Sequence, residues 1–166
     1  ASELSFPTVK KYVNFLSKTF ICVFPKPYFR NKRVEIVKNP KVYFSDTGLR
    51  NAIINNFKAF DKRDDAGAVL ENTFASQLVK QNLPVEFWRT KKGHEVDFVV
   101  SLPAGKRVAI ELKKTLSLAN GSTIKEFARQ YPEVPFYLGY YQFGGKSQAM
   151  GNQPNAPANF FPIYLV

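Results

Sequence analysis

Two strand-like runs in HEVDFVVSLPAGKRVAIELKK, residues 94–114, carry ionisable residues where apolar ones would be expected: Asp97 and, after thirteen intervening residues, Glu111-Leu112-Lys113. Side chains two apart on a strand share a face. The alternation therefore predicts Glu95, Asp97 and Val99 on one face of the first run and Val96, Phe98 and Val100 in the core. On the second run Ala109, Glu111 and Lys113 oppose Val108, Ile110 and Leu112. If the turn at Pro103–Gly105 joins neighbouring strands, Asp97 and Glu111 come side by side. Two close carboxylates repel each other by several kcal/mol at low dielectric unless a cation separates them, and a hard divalent ion prefers such oxygens. Glu71 shares a helical face with Phe74, Ala75 and Leu78, so it is carried on the core side of a preceding helix and can be aimed at the pair. A Mg²⁺ or Mn²⁺ ion held by Asp97, Glu111 and Glu71 would polarise a phosphodiester and acidify a bound water. Lys113 would orient that water or stabilise charge on the phosphorus oxygens. The chemistry predicted is in-line hydrolysis of a nucleic-acid backbone.

The elements that must position these residues are legible in outline. Ser5-Phe6-Pro7-Thr8 reads as a helix start, with Val9, Tyr12, Val13, Leu16 and Phe20 as an apolar stripe. Pro25, Pro27 and Pro40 then forbid helix, and two β-rich runs flank the basic turn Arg30-Asn31-Lys32-Arg33. The charged stretch 61–67, DKRDDAG, is the expected boundary, which divides the chain into 1–60 and 65–166. Beyond it the pattern predicts a helix over 68–81, strands at 85–90, 95–101 and 107–113, and a helix opened by a capping box at Thr123-Ile124-Lys125-Glu126. A strand at 136–142, a Gly/Asn/Gln/Pro-rich loop and a last strand at 160–166 follow. Short turns favour antiparallel pairing of the first three strands, and the intervening helix makes the third and fourth parallel. The result is an α/β sandwich with a mixed central sheet.

The net charge of +11 over 166 residues is unevenly spread. Residues 1–64 hold 13 Lys/Arg against 5 Asp/Glu, and residues 65–166 hold 11 against 8. A polyanion is the natural partner of the basic N-terminal part, with Lys10, Lys11, Arg30, Lys32 and Arg33 as phosphate contacts and Arg89 at the mouth of the acidic centre. One cysteine and one histidine exclude an internal disulfide and a zinc cluster, so any metal must be held by carboxylates. No run approaches the ~18 apolar residues of a membrane span, and no cleavable signal opens the chain, so a cytoplasmic location is expected. No GxxxxGK[ST] phosphate loop occurs, and ATP hydrolysis is not expected of these residues.

The arrangement of Asp97, Glu111-Leu112-Lys113 and a preceding glutamate-bearing helix resembles the PD-(D/E)XK nuclease superfamily. More narrowly, GAVLENTFASQLV, FWRTKKGHEVDFVV and VAIELKK, with NPKVYFSDTGLRNAI upstream, resemble the C-terminal region of many prokaryotic AAA-type ATPases. There an ATPase module precedes a winged-helix segment and a nuclease-like domain. The resemblance implies Glu71, Asp97, Glu111 and Lys113 as the catalytic set, with Val96 in place of the family's proline. It also implies a partial winged-helix segment at the start of this chain and an N-terminal ATPase module as its partner. A catalytically silent module that binds DNA or protein and regulates the ATPase is the alternative.

Plainer readings stand beside these. Glu111 and Lys113 also suit an exposed strand face with a modest ion pair. His94 reads as a solvated turn residue, and Glu95 as an outer ligand or rim residue. Gln77 and Lys114 are weaker candidates. Tyr28, Phe29 and Tyr43 fit packing under the hairpin better than stacking on bases, and Cys22 reads as buried and inert.

Overall fold

The structure, a computed structural model, describes residues 4–29, 41–114, 121–141 and 159–163. The first helix, α1 (Phe6–Lys18), starts where Ser5 caps it. The Ser5 hydroxyl accepts from the Thr8 amide at 3.4 Å, and Pro7 occupies the first turn, where a missing N–H costs nothing. Its apolar stripe forms but buries nothing among the described residues: Val9, Tyr12 and Val13 are exposed, as are Phe6, Phe15 and Phe20. Then come β1 (Cys22–Val23) and β2 (Lys26–Pro27). Past the basic turn, β3 (Tyr43–Phe44) pairs antiparallel with β1, Cys22 opposite Phe44. The turn itself, with Arg30, Lys32 and Arg33, lies outside the described residues, as do the glycine-rich stretch 142–158 and residues 164–166.

Helix α2 (Thr47–Ile53) is capped by Asp46, whose Oδ1 accepts from the Leu49 amide at 2.7 Å. The charged stretch 61–67 is ordered. It contains a 3₁₀ turn, Phe60–Lys62, and a buried arginine, Arg63, that grips Asp65 through Nε and Nη2 at 2.9 and 3.0 Å and donates to the Asn56 carbonyl at 2.6 Å. Arg50 adds a third contact to Asp65 at 2.9 Å. The Arg63 hydrogen bonds and the Arg50 guanidinium lower the Asp65 pKa to about 2. A carboxyl whose folded pKa lies below its unfolded value stabilises the fold above the unfolded pKa and loses that stability as pH falls toward the folded one. Asp65→Asn is therefore expected to cost about 1–2 kcal/mol at neutral pH, with the difference from wild type closing as pH falls from about 4 toward about 2, as urea midpoints across pH would read.

Asp65 leads into α3 (Ala66–Lys80), two residues earlier than the sequence pattern placed it, because Ala66 is itself buried in the core. The meander follows as expected: β4 (Val85–Arg89), β5 (Glu95–Ser101) and β6 (Arg107–Lys113). Gly93 with φ 87° and Gly105 with φ 72° supply the left-handed residues that the two tight turns require. Helix α4 (Gly121–Gln130) crosses over to β7 (Phe136–Tyr141), and β8 (Asn159–Ile163) ends the described chain. The six-stranded sheet runs β2-β4-β5-β6-β7-β8, with β4, β5 and β6 antiparallel and the remaining neighbours parallel. The capping box at Thr123 is not formed: α4 begins at Gly121, and Thr123 is buried inside it, because its position faces the sheet.

Both sheet faces are covered. On one, Leu70, Ala75 and Leu78 of α3 meet Phe98, Val100, Ile110 and Leu112. On the other, Ile124 and Phe127 of α4, with Tyr131, meet Trp88, Val96, Val99 and Ala109. This corrects the expected alternation in β5, where Val96 was grouped with Phe98 and Val100. Glu86 pairs with Val99 but Trp88 pairs with Val96, so β5 spends one extra residue opposite Phe87. That bulge at Asp97–Phe98 puts Asp97 and Phe98 both on the α3 side and turns Val99 to the α4 side.

Candidate acidic centre

The bulge decides where Asp97 goes. The β5–β6 ladder stops at Phe98 opposite Ile110. One residue on, the Asp97 carboxylate takes the ladder's place, with Oδ2 accepting from the Leu112 amide at 2.9 Å. Its other oxygen, Oδ1, meets Lys41 Nζ at 3.1 Å. The same ammonium lies 2.7 Å from Glu95 Oε1 and 3.3 Å from Glu71 Oε2. An ammonium has three N–H donors and no acceptor, and three carboxylates stand here to receive them.

Lys41 reaches this point because β3 is stitched to α3. Asn72, buried, accepts from the Phe44 amide at 2.8 Å and donates to the Phe44 carbonyl at 3.2 Å, while the Ser76 hydroxyl donates to the Ser45 carbonyl at 2.7 Å. Tyr43 then donates its phenol proton to Glu71 Oε2 at 2.8 Å. Lys41, two residues before Tyr43, holds its Nζ over the rings of Tyr43 and Phe87, 6.0 Å from each centroid. A cleft of about 380 Å³, lined by Lys41, Tyr43, Arg50, Gly67, Glu71 and Asn72, opens beside the centre between β3 and the start of α3.

The electrostatics follow from burial and proximity. Burial alone would lower the Lys41 pKa, but the Asp97 and Glu71 carboxylates more than reverse this and hold it above the ordinary lysine range. Burial and the Asp97 charge push the Glu71 carboxyl up against the pull of Lys41 and Tyr43. Burial also tends to raise Glu95, yet hydrogen bonds from Arg89 and Lys41 bring it below the usual value. Glu111 is raised, by burial first and then by Asp97 and Glu95, although Lys113 opposes the shift.

The structure thus brings Glu71, Asp97 and Glu95 together around Lys41, while Glu111 and Lys113 pair with each other on the neighbouring strand, near enough for the Asp97 charge to raise the pKa of both. Glu111 is 3 % exposed; Oε1 pairs with Lys113 Nζ at 2.6 Å, and Oε2 is buried with no hydrogen-bond partner among the described residues. Arg89 is tied to Glu95 at 2.6 Å and stacks over Phe87, 5.5 Å from its ring centroid. Lys10 and Lys11 lie exposed on α1, far along the chain from this centre. His94 is half-buried, its Nδ1 3.3 Å from the Thr123 hydroxyl, so it links the β4–β5 turn to α4. Tyr28, Tyr43 and Cys22 are buried, and Gln77 and Lys114 are exposed.

The donor types are those a divalent ion prefers, and the unpartnered Glu111 oxygen calls for positive charge. The geometry, however, is that of an ammonium cage. Among the described residues no three His, Cys, Asp or Glu side chains stand as a metal-holding group, and Glu71, Glu95 and Asp97 all lie within 3.3 Å of the Lys41 ammonium. A divalent ion does not fit while that amine is in place.

Residues 66–153 match a domain of unknown function, DUF4143, and residues 1–59 match a second, DUF8612. Two mycobacterial proteins, uncharacterized protein Mb2031c of Mycobacterium bovis and uncharacterized protein Rv2008c of Mycobacterium tuberculosis, are each 29% identical over 112 residues. The alignments cover 65% of this chain and 25% of each relative, so the chain spans about a quarter of the length of the curated relatives it matches. No solved structure matches. No helix among the described residues is long and apolar enough to cross a membrane.

Proposed function

The chain belongs to the DUF4143 family, and from that premise we propose that it is a nuclease-like module of a nucleic-acid-handling AAA-type ATPase, binding the DNA backbone while its acidic centre is neutralised from within. The observation that carries this reading is the convergence of Glu71, Glu95 and Asp97 on Lys41 Nζ at 2.7–3.3 Å, where the superfamily it resembles would keep a metal. The helix–strand order from α3 to β7 and the Asp97, Glu111, Lys113 placement support the nuclease-like sandwich. Helix α1 with the β1–β3 ladder supports the winged-helix half. The charge of +11, concentrated before Asp65, supports a polyanionic partner. ATP chemistry belongs to a separate module.

The test is a binding titration against duplex and single-stranded DNA. Affinity is expected to fall by on the order of ten-fold or more between about 50 and 200 mM salt, to be unaffected by Asp97→Asn, and to be unaccompanied by cleavage in Mg²⁺. Binding indifferent to salt, or absent, contradicts the reading. A second reading, Mg²⁺- or Mn²⁺-dependent phosphodiester hydrolysis, is favoured by the unpartnered Glu111 Oε2 beside Lys113. Cleavage by the wild-type chain that Lys113→Ala abolishes would select it.

A further inference from the structure

We propose that helix α1, with the Phe20 turn that closes it, docks on the surface of an anionic lipid bilayer and lies there in the plane of the headgroups. The inference goes beyond the nucleic-acid reading and does not rest on it. At 3.6 residues per turn, Phe6, Val9, Tyr12, Val13, Phe15 and Leu16 fall in one half of the α1 circumference, and Lys10, Lys11 and Lys18 fall in the other. The apolar half is uncovered among the described residues: no residue of α1 is buried, Phe6 is 80 % exposed, and Tyr12 and Phe15 are each 58 % exposed. Single exposed apolar residues need no explanation, whereas a contiguous apolar face with several aromatic rings marks a docking surface. A further exposed ring follows at the helix end. Phe20 closes α1 in the left-handed region, φ 57°, its amide donating to the Ser17 carbonyl at 3.2 Å and the Ile21 amide to the Leu16 carbonyl at 3.1 Å. Glycine is favoured at this capping position and a bulky residue is strained there. The strain is kept for a ring that stands 80 % exposed.

Charge selects the occupant. Residues 4–34 carry seven Lys/Arg and no Asp or Glu, so a second copy seated on this face would set like charges against each other. A nucleic-acid strand needs rings and cations on one side, for its bases and its phosphates, whereas α1 keeps them on opposite halves. Aromatic and aliphatic side chains on one face and lysines on the other match the boundary between acyl chains and anionic headgroups. The 13 residues of α1 span about 20 Å, short of the roughly 30 Å hydrocarbon core, so the helix lies on the bilayer and does not cross it.

The test is co-sedimentation of the 166-residue chain with vesicles, either of phosphatidylcholine alone or of equal parts phosphatidylcholine and phosphatidylglycerol. The chain is expected to bind the anionic vesicles. Binding should fall by on the order of ten-fold on the neutral vesicles and in the double variant Lys10→Gln, Lys11→Gln. Phe6→Ser combined with Phe15→Ser should lower it by on the order of ten-fold or more. The melting temperature of that ring variant should equal that of wild type, since both rings already face solvent. Absence of vesicle binding overturns the proposal, as does binding that survives loss of both rings. A lower melting temperature in the ring variant would show that the face is covered within the chain, and self-association that the ring variant abolishes would assign it to a second copy. Either result also overturns the proposal. Salt-sensitive DNA binding without vesicle binding removes the bilayer and leaves the nucleic-acid module, and vesicle binding without DNA binding removes the module alone.

Discussion

Asp97→Ala is expected to lower the free energy of unfolding by about 3–5 kcal/mol, chiefly because two dissimilar partners lose the same carboxylate. The Leu112 amide, buried where the β5–β6 ladder has ended, would have no acceptor, which costs about 1–3 kcal/mol. Lys41 would keep Glu71 and Glu95 but lose its third acceptor, a charged hydrogen bond worth about 1.5–3 kcal/mol. Asp97→Asn should cost about half as much, since the amide oxygen can still receive the Leu112 proton. Urea unfolding of the two variants side by side separates the bond from the charge, and an alanine cost below about 1 kcal/mol would mean the Leu112 contact is not made in solution. Asp97 is therefore structural as well as central to the site. Loss of any activity in Asp97→Ala says nothing about chemistry unless folding is measured on the same sample.

Phe127→Ala is expected to cost a similar amount, about 3–5 kcal/mol, for an unrelated reason. The ring is wholly buried on the α4 side of the sheet, edge-on to Trp88 with centroids 5.3 Å apart and planes at 88°, and in contact with Tyr131 at 5.0 Å and Phe136 at 5.7 Å. Deleting it removes the centre of an aromatic cluster that joins α4 to β4 and β7 and leaves a cavity its rigid neighbours cannot fill. Phe127→Leu, which retains most of the volume, should recover much of the loss. Equal melting temperatures for Phe127→Ala and wild type would contradict this account of how α4 is held.

What could be read from the amino acids was whatever is local. Strands β4, β5 and β6 fell within one residue of their predicted ends because β-branched and aromatic runs are bounded by KKGH and LPAG turns. The parallel β6–β7 pair followed from the helix between them. Glu71 was legible as a helix carboxylate on the core side, and it does reach Asp97's neighbourhood. Two features were not legible. The Asp97–Phe98 bulge depends on pairing with β4 on one side and β6 on the other, so strict alternation wrongly grouped Val96 with Phe98 and Val100, and Asp97 with Val99. Lys41 lies 30 residues from Glu71 and 56 from Asp97, and after a proline in a basic stretch it reads as one more solvated cation. A signal was present: Lys41 and Tyr43 alternate on one strand face ahead of SDTGL, and a cluster of carboxylates predicted to be buried needs a cation from somewhere. The apolar stripe of α1 shows the opposite error, since amphipathic spacing identified the helix but not whether anything in the described fold covers it.

The claim on which the rest depends is that the acidic centre is closed by its own lysine. The most direct measurement is a crystal structure of the wild-type chain grown with Mn²⁺, with data collected at the manganese edge. The account predicts no anomalous peak among Glu71, Glu95, Asp97 and Glu111, with Lys41 Nζ within hydrogen-bond distance of the first three. A manganese ion bound to Asp97 and Glu71 or Glu111, with the Lys41 amine turned away, would contradict it.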